Sequence, residues 1–140
     1  MGTRTFPGTL NSLAPVREFV SGAARAAGLN SSSTYKLCLA VDEITTNVIQ
    51  HGYEEAGLKG EIVVEAIQEP GRLVIRLLDH GRSYDPELYS APNVQRPLLE
   101  REEGGLGVFL ARVGVDQLDY TSGTGGNIHS FIVTLPAGPS

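Results

Sequence analysis

One helical stretch, residues 37–55 (LCLAVDEITTNVIQHGYEE), constrains the fold of this chain more than any other. Apolar residues recur in it at helical spacing, and such a stripe docks a helix against a core. The stripe consists of Leu37, Val41, Ile44 and Val48. The spacing predicts a long helix from about Ser32 to His51, which Gly52 would close.

A carboxylate and a carboxamide lie beside this stripe, at Glu43 and Asn47. Helical positions four apart lie nearly above one another, so the two side chains share one face. Next to an apolar face that packs on the core, a carboxylate is suited to accept a proton and an amide oxygen to bind a hydrated Mg2+ ion. The alternative is an ordinary solvated polar face.

A second helix and an edge strand are predicted before this stretch. Residues 11–28 carry apolar residues at helical spacing, and Gly28 is a natural C-terminal stop. Residues 3–10 are short and interrupted by proline, which is typical of an edge strand or an arm. The Ser and Thr residues of 30–35 (NSSSTY) offer caps for the long helix.

Two hairpins are predicted after it. Residues 61–69 and 72–79 alternate with period two and are separated by Pro70 and Gly71. Residues 115–121 and 127–136 flank the turn sequence SGTGGN and predict the last hairpin. Between the hairpins, residues 80–103 show no regular alternation of apolar residues and are interpreted as a lid. Residues 104–114 begin with two glycines and are interpreted as a short helix.

Two further sequence motifs contain residues suited to binding a ligand. Asp79 ends a strand and is followed by Gly81, although an ordinary turn is the alternative. Gly104, Gly105 and Gly107 precede a helix, where backbone amides can approach an anion, although a flexible connector would look the same.

Composition narrows the class of protein. With 140 residues we expect a single domain, and a net charge of -5 with a pI near 5.1 argues against a nucleic-acid or anionic membrane surface. The one cysteine, Cys38, cannot form an internal disulfide and is expected to be a small buried residue. No apolar run is long enough to span a bilayer, so a cytoplasmic protein is expected.

Three motifs together carry a family resemblance. DEITTNVIQHGY, LLDHGRSYD and EGGLGVFLAR resemble the asparagine box and the two glycine boxes of the Bergerat-fold ATPases, which include gyrase, histidine kinases and MutL. VREFV, the E-x-x-T-N-x-x-x-H-G-Y helix and YTSGTGGNIHSFIVTL are similar to those of bacterial anti-sigma-factor serine/threonine kinases. The resemblance covers residues 9–136.

The resemblance implies a role for each motif residue. Asn47 would coordinate Mg2+ and Glu43 would be the catalytic base. Asp79 would accept the adenine amine, Gly81 would let the chain pass close to the ring, and Thr46 would support the site. The glycine-rich segment would face the phosphates of ATP, through Gly104, Gly105, Leu106 and Gly107.

Two positions depart from the family pattern. Ser83 stands where many members of the wider superfamily have a third glycine, and the serine-kinase branch often lacks that glycine. Glu103 stands where some have the leading glycine of the second glycine box. Because like charges repel, we expect Glu103 to point away from the phosphates.

The three histidines have structural alternatives. His51 either lines the site or caps the helix end, His80 is expected to be exposed, and His129 to be structural. The sequence has no autophosphorylated histidine box, which excludes a complete histidine kinase.

The sequence therefore predicts an α+β fold, a two-layer α/β sandwich with a mixed, mainly antiparallel sheet and its helices on one face. The resemblance implies a serine/threonine protein kinase and anti-sigma factor that phosphorylates a small anti-sigma-factor antagonist. Its partners would be a sigma factor, the antagonist and a second copy in a homodimer. The alternatives are a non-catalytic ATP-gated binding module and an orphan histidine-kinase catalytic domain.

Overall fold

The computed structural model describes residues 2–83 and 115–136. Five strands and two α-helices make up the described part: β1 (Gly2–Pro7), α1 (Leu13–Ala26), α2 (Ser31–Asn47), β2 (Glu61–Glu69), β3 (Arg72–Asp79), β4 (Gln117–Gly123) and β5 (Gly126–Thr134). A 3-10 turn (Leu10–Ser12) precedes α1, and a π-helical turn (Val48–Glu54) continues α2.

The strands form one sheet in the order β1-β2-β3-β5-β4. Every neighbouring pair in the described sheet is antiparallel. The β2–β3 and β4–β5 hairpins form where the alternation predicted them, and β1 is an edge strand. The predicted α+β sandwich with a mainly antiparallel sheet is confirmed, and the described sheet contains no parallel pair of the kind that a mixed sheet would have.

The two helices cover one face of the sheet, because alternate strand residues on that face are apolar. The alternating residues of β2 and β3 are buried there with the helical stripe in one core: Ile62, Val64, Ala66, Leu73, Ile75, Leu77, Leu37, Val41, Ile44 and Val48. Cys38 is buried and free, as expected. The core thus fixes the helix that carries Glu43 and Asn47 against the centre of the sheet.

Local hydrogen bonds define the loop between the helices. At the end of α1, Gly28 has φ 95°, and the amides of Gly28 and Leu29 donate to the carbonyls of Arg25 and Ala24. This is a Schellman C-cap, as the glycine predicted. At the start of α2, however, the cap is the Asn30 side chain, which accepts from the Ser33 amide at 2.8 Å. The expectation of a Ser or Thr cap was wrong.

The predicted end of the long helix was also wrong. Regular α-helix stops at Asn47, and the chain continues through Gly52 as a π-helical turn. Two amides there donate to carbonyls five residues earlier, Glu55 to Gln50 and Leu58 to Tyr53, each at 2.9 Å. Gly52 does not close the helix because its carbonyl accepts from the Arg82 amide at 2.7 Å, which holds it inside the fold.

The predicted lid beyond Ser83 and the predicted helix of residues 104–114 lie outside the described residues. Within the described ranges, no helix has the length and apolarity needed to cross a bilayer.

Replacing Asn30 by alanine should lower the free energy of unfolding by about 1 kcal/mol, because the Ser33 amide loses its acceptor. Urea unfolding followed by circular dichroism measures this. Ser32→Ala is the matched control, since Ser32 is exposed in the same helical turn, and should change stability by less than about 0.5 kcal/mol. Equal effects of the two changes would contradict the assigned cap.

Candidate functional site

The face of α2 that carries Glu43 and Asn47 is buried or partly buried. Asn47 is only 4% exposed, and its amide nitrogen Nδ2 is buried without a hydrogen-bond partner among the described residues. Glu43, one turn earlier, is partly buried. A buried amide without a partner is costly in a finished core. A polar ligand that accepts a hydrogen bond from Nδ2 would remove this cost.

The environment of Glu43 favours a stronger base. Burial raises the pKa of the Glu43 carboxyl, and the neighbouring Asp42 raises it further. Asp42 is itself held by Arg17 of α1, whose Nη2 lies 2.9 and 3.0 Å from the two carboxylate oxygens. The Thr46 hydroxyl donates to the Asp42 carbonyl at 2.8 Å, so that hydroxyl is bonded to its own helix.

Asp79 lies at the last position of β3 and is 2% exposed. Its Oδ1 accepts from the Gly81 amide and from Asn127 Nδ2, each at 2.9 Å. Its Oδ2 has no hydrogen-bond partner within residues 2–83 and 115–136, and His129 Nε2 lies 3.8 Å away. The carboxyl thus keeps one acceptor oxygen open.

Opposing effects set the proton affinity of Asp79. Burial raises the pKa of the Asp79 carboxyl, while the hydrogen bonds from Asn127 and Gly81 and the charge of His80 lower it. The first effect is the largest. The ionised form is therefore costly to keep in this position unless its donors remain in place.

The two motifs meet at one backbone contact. A Cβ on Gly81 would lie 2.6 Å from the Gly52 carbonyl oxygen, so only glycine fits there. The next amide, that of Arg82, donates to the same carbonyl. The π-helical turn that follows Asn47 is therefore packed directly against the segment that follows Asp79.

Tyr53 and Asn127 are structural partners of the site that the sequence reasoning missed. The buried Tyr53 hydroxyl donates to the Glu61 carbonyl at 2.7 Å and accepts from the His80 amide at 2.9 Å. Asn127 belongs to the inward-facing positions of β5, which it shares with His129 and Phe131. The period-two alternation would have identified Asn127 as an inward polar residue, which requires a partner.

The histidines take different positions. His51 Nδ1 lies 2.9 Å from Glu55 Oε2 at the side of the π-helical turn. His80 is exposed, as expected. His129 is fully buried, with its ring 4.9 Å from that of Tyr120, and burial lowers the pKa of its imidazole to about 4. His129 is therefore neutral near pH 7, and its burial agrees with the predicted structural role.

The residues fit a nucleotide better than a protein-caged metal. No group of three His, Cys, Asp or Glu side chains able to hold a metal occurs in the described part of the chain. Asn47 could supply one ligand to a magnesium ion whose other ligands are phosphate oxygens and water, which is the usual way proteins hold Mg2+. The orphaned acceptor of Asp79 suits an amine donor. The predicted phosphate-facing residues lie outside the described part: Gly104, Gly105, Leu106 and Gly107.

A large groove lies elsewhere on the described part of the chain. It has a volume of about 590 Å3 and runs between α1 and the first half of α2, where Arg17, Arg25 and Tyr35 line it. It is not bordered by the predicted nucleotide residues that the structure describes: Thr46, Asn47, Asp79 and Gly81. A nucleotide site requires specific donors and acceptors in addition to volume, and these are found at Asp79 and Asn47, outside this groove.

Comparison with known proteins agrees with the fold and the motifs. Residues 6–132 match the profile of the histidine kinase-like ATPase domain, and the chain belongs to this family. Among curated proteins it is 29% identical over 125 residues to the serine-protein kinase RsbW of Halalkalibacterium halodurans, covering 86% of this chain and 75% of that one. It is 31% identical over 114 residues to RsbW of Bacillus velezensis, covering 79% and 71%.

A solved structure supports the fold in the same way. The RsbU and RsbW domains of a Mycobacterium tuberculosis protein match with a TM-score of 0.66 at 20% identity. The match covers 96% of this chain and 33% of that one, so this chain spans a third of the solved protein. At this identity the likeness concerns the fold.

Stability should fall with acidification because of His129. Its folded pKa of about 4 lies below the ordinary value of 6.5, so only the unfolded state binds this proton between those values. The contribution is present above pH 6.5 and is lost as the pH falls toward 4, by about 2 kcal/mol between pH 7 and pH 5.

Urea unfolding of the wild type and of His129→Leu at pH 7 and pH 5 isolates this contribution, since the leucine variant lacks it. The raised pKa of Asp79 acts in the opposite direction in both proteins, so it cannot produce a loss of stability on acidification that occurs only with His129 present. Equal pH dependence of the two proteins would contradict the buried neutral imidazole.

Proposed function

We propose that this protein is an ATP-dependent serine/threonine protein kinase and anti-sigma factor that phosphorylates a small anti-sigma-factor antagonist. The observation that carries the proposal is the buried Asp79 carboxyl with one open acceptor oxygen, packed next to the helix of Glu43 and Asn47, in a chain of the ATPase-domain family.

Each site residue has a proposed role in holding the nucleotide. Asp79 Oδ2 accepts from the adenine amine, and Gly81 lets the backbone approach the ring. Asn47 holds Mg2+ together with the phosphates, and the ion neutralises phosphate charge when bound. Thr46 supports this end of α2, and Gly104, Gly105, Leu106 and Gly107 face the phosphates. The adenine contact is supported by the buried acceptor oxygen Oδ2 of Asp79, which has no hydrogen-bond partner among the described residues.

Glu43 is the proposed catalytic base. The hydroxyl oxygen of a serine or threonine forms a bond to the γ-phosphorus, the bond from that phosphorus to the bridging oxygen of ADP breaks, and the hydroxyl proton passes to Glu43. A raised pKa, as burial and Asp42 produce, makes a carboxylate a better proton acceptor near neutral pH.

The regulation would be a partner switch. The curated relatives are named serine-protein kinase RsbW, which supports a kinase of the same kind here. A homodimer in the cytoplasm would hold a sigma factor in one complex and the antagonist in another. Nucleotide state and antagonist phosphorylation would select between them through differential affinity.

Two other functions fit the same nucleotide contacts. A binding module would use ATP only to present a surface and would transfer no phosphate. An orphan histidine-kinase catalytic domain would phosphorylate a histidine of another chain and yield an acid-labile product. Incubation with γ-labelled ATP, Mg2+ and candidate antagonist proteins, followed by location of the label, separates all three: acid-stable phosphoserine or phosphothreonine supports the proposal.

Replacing Glu43 by glutamine should reduce phosphate transfer by about 10²- to 10⁴-fold, because the hydroxyl proton loses its acceptor. ATP affinity should change little, since Glu43 has no proposed contact with the nucleotide. Transfer of labelled phosphate and calorimetric titration with ATP measure the two quantities.

Glu54→Gln is the matched control for this change. Glu54 is exposed in the π-helical turn, so its variant should transfer phosphate at the wild-type rate. Full activity of the Glu43 variant would exclude this residue as the base, while joint loss of transfer and ATP binding would indicate a structural role.

Replacing Asp79 by asparagine should weaken ATP binding by about 100-fold, because an amide donor would face the adenine amine in place of an acceptor. Stability without nucleotide should not fall, since the new Oδ1 can keep the donors from Gly81 and Asn127 and no buried charge remains. Calorimetry and thermal unfolding test the two parts. Unchanged ATP affinity would contradict the adenine contact.

A further inference from the structure

The side chain of Asn127 is the centre of a polar cluster at the end of the sheet. It is 4% exposed, and its Nδ2 donates to Asp79 Oδ1 at 2.9 Å and to the Gly81 carbonyl at 3.0 Å. Its Oδ1 accepts from the hydroxyls of Ser83 and Ser122 at 2.9 and 2.8 Å. Both amide hydrogens are thus used, which fixes the orientation of the amide.

This arrangement makes the two oxygens of Asp79 unlike. Oδ1 is occupied by the Asn127 amide and the Gly81 amide, while Oδ2 is open among the described residues. Donors directed at a carboxyl also favour its ionised form, and an ionised carboxylate can only accept hydrogen bonds.

We propose that Asn127 is a positioning residue that occupies Oδ1 of Asp79 and leaves only Oδ2 open, and that it thereby makes the site select adenine over guanine nucleotides. The inference deepens the proposed function and rests on it, because it concerns the base of the same nucleotide.

The chemistry of the two bases explains the selection. Adenine offers an amine donor at position 6, which one open carboxylate oxygen can accept. Guanine offers an acceptor oxygen there, which an ionised carboxylate repels. Guanine can also present two donors, its ring N–H and its 2-amine, but these require both oxygens of a carboxylate, and Asn127 helps to occupy one of them.

Loss of Asn127 would weaken both obstacles to guanine binding, which are the occupied Oδ1 and the repulsion between an ionised carboxylate and the guanine oxygen. Oδ1 would keep only the Gly81 amide, and the buried carboxyl would take up a proton more readily. A protonated carboxyl can donate to the guanine oxygen and no longer serves as a pure acceptor for adenine. Among the described residues, the other titratable groups that interact with Asp79 are His80, His129 and Tyr53, and all three remain in the variants.

The test is calorimetric titration of the whole chain with MgATP and with MgGTP at pH 7.5 and pH 6.0, for the wild type and Asn127→Ala. The wild type should prefer ATP by about 100-fold or more, and the variant should lose about tenfold of that preference. ATP affinity of the variant should fall more steeply than that of the wild type between pH 7.5 and pH 6.0. A purely structural defect would weaken both nucleotides alike at both pH values.

Ser122→Ala is the matched control, because it removes a donor from Asn127 Oδ1 and leaves Asp79 untouched. Its ATP preference should equal that of the wild type. Asn127→Thr serves if the alanine variant does not fold, since threonine suits a strand and retains one hydroxyl donor; it should lose part of the preference.

The outcomes separate this inference from the proposed function. A wild type that binds ATP selectively, with an alanine or threonine variant that keeps the same preference and pH profile, overturns the role of Asn127 alone. A wild type that binds both nucleotides equally overturns it too, while nucleotide binding stands. A wild type that binds neither overturns both proposals.

Discussion

The contact between the Gly52 carbonyl and the backbone of Gly81 and Arg82 is the constraint on which the site depends. It joins the helix layer to the end of the central strand, and no side chain can be inserted at Gly81 without displacing Gly52. Tyr53 reinforces the junction by bridging the Glu61 carbonyl and the His80 amide. Movement of α2 relative to the sheet would therefore be transmitted directly to the segment that follows Asp79.

Polar groups that cost stability are concentrated around this junction. Asn47 has a buried amide nitrogen without a partner in the described part of the fold, and Asp79 has an oxygen in the same condition. Burial also raises the pKa of the carboxyls of Asp79 and Glu43. The hydrophobic cluster between the helices and the sheet offsets this cost, and a ligand with matching donors and acceptors would relieve it.

Local patterns were sufficient to predict most of the fold. The alternation in β2 and β3, the Pro-Gly hairpin and the glycine after α1 each determine local geometry by steric and hydrogen-bonding rules that act within a few residues. The π-helical turn could not be predicted in this way, because its Gly52 packs against a segment thirty residues later, where its carbonyl accepts from the Arg82 amide. The same holds for Asn127, whose partner Asp79 is 48 positions away. The asparagine and aspartate motifs were identified from sequence, whereas their packing against each other required tertiary contacts.

The π-helical turn also changes how this helix compares with a regular one. Each of its wider hydrogen-bonded rings encloses one residue more than an α-helical ring, so side chains beyond Val48 are rotated out of the phase of the apolar stripe that Val48 completes. With regular α-helix beyond Asn47, Tyr53 would point in a different direction from the one in which its hydroxyl contacts the Glu61 carbonyl and the His80 amide. The turn therefore has the geometry of a single-residue insertion, retained where the helix meets the sheet.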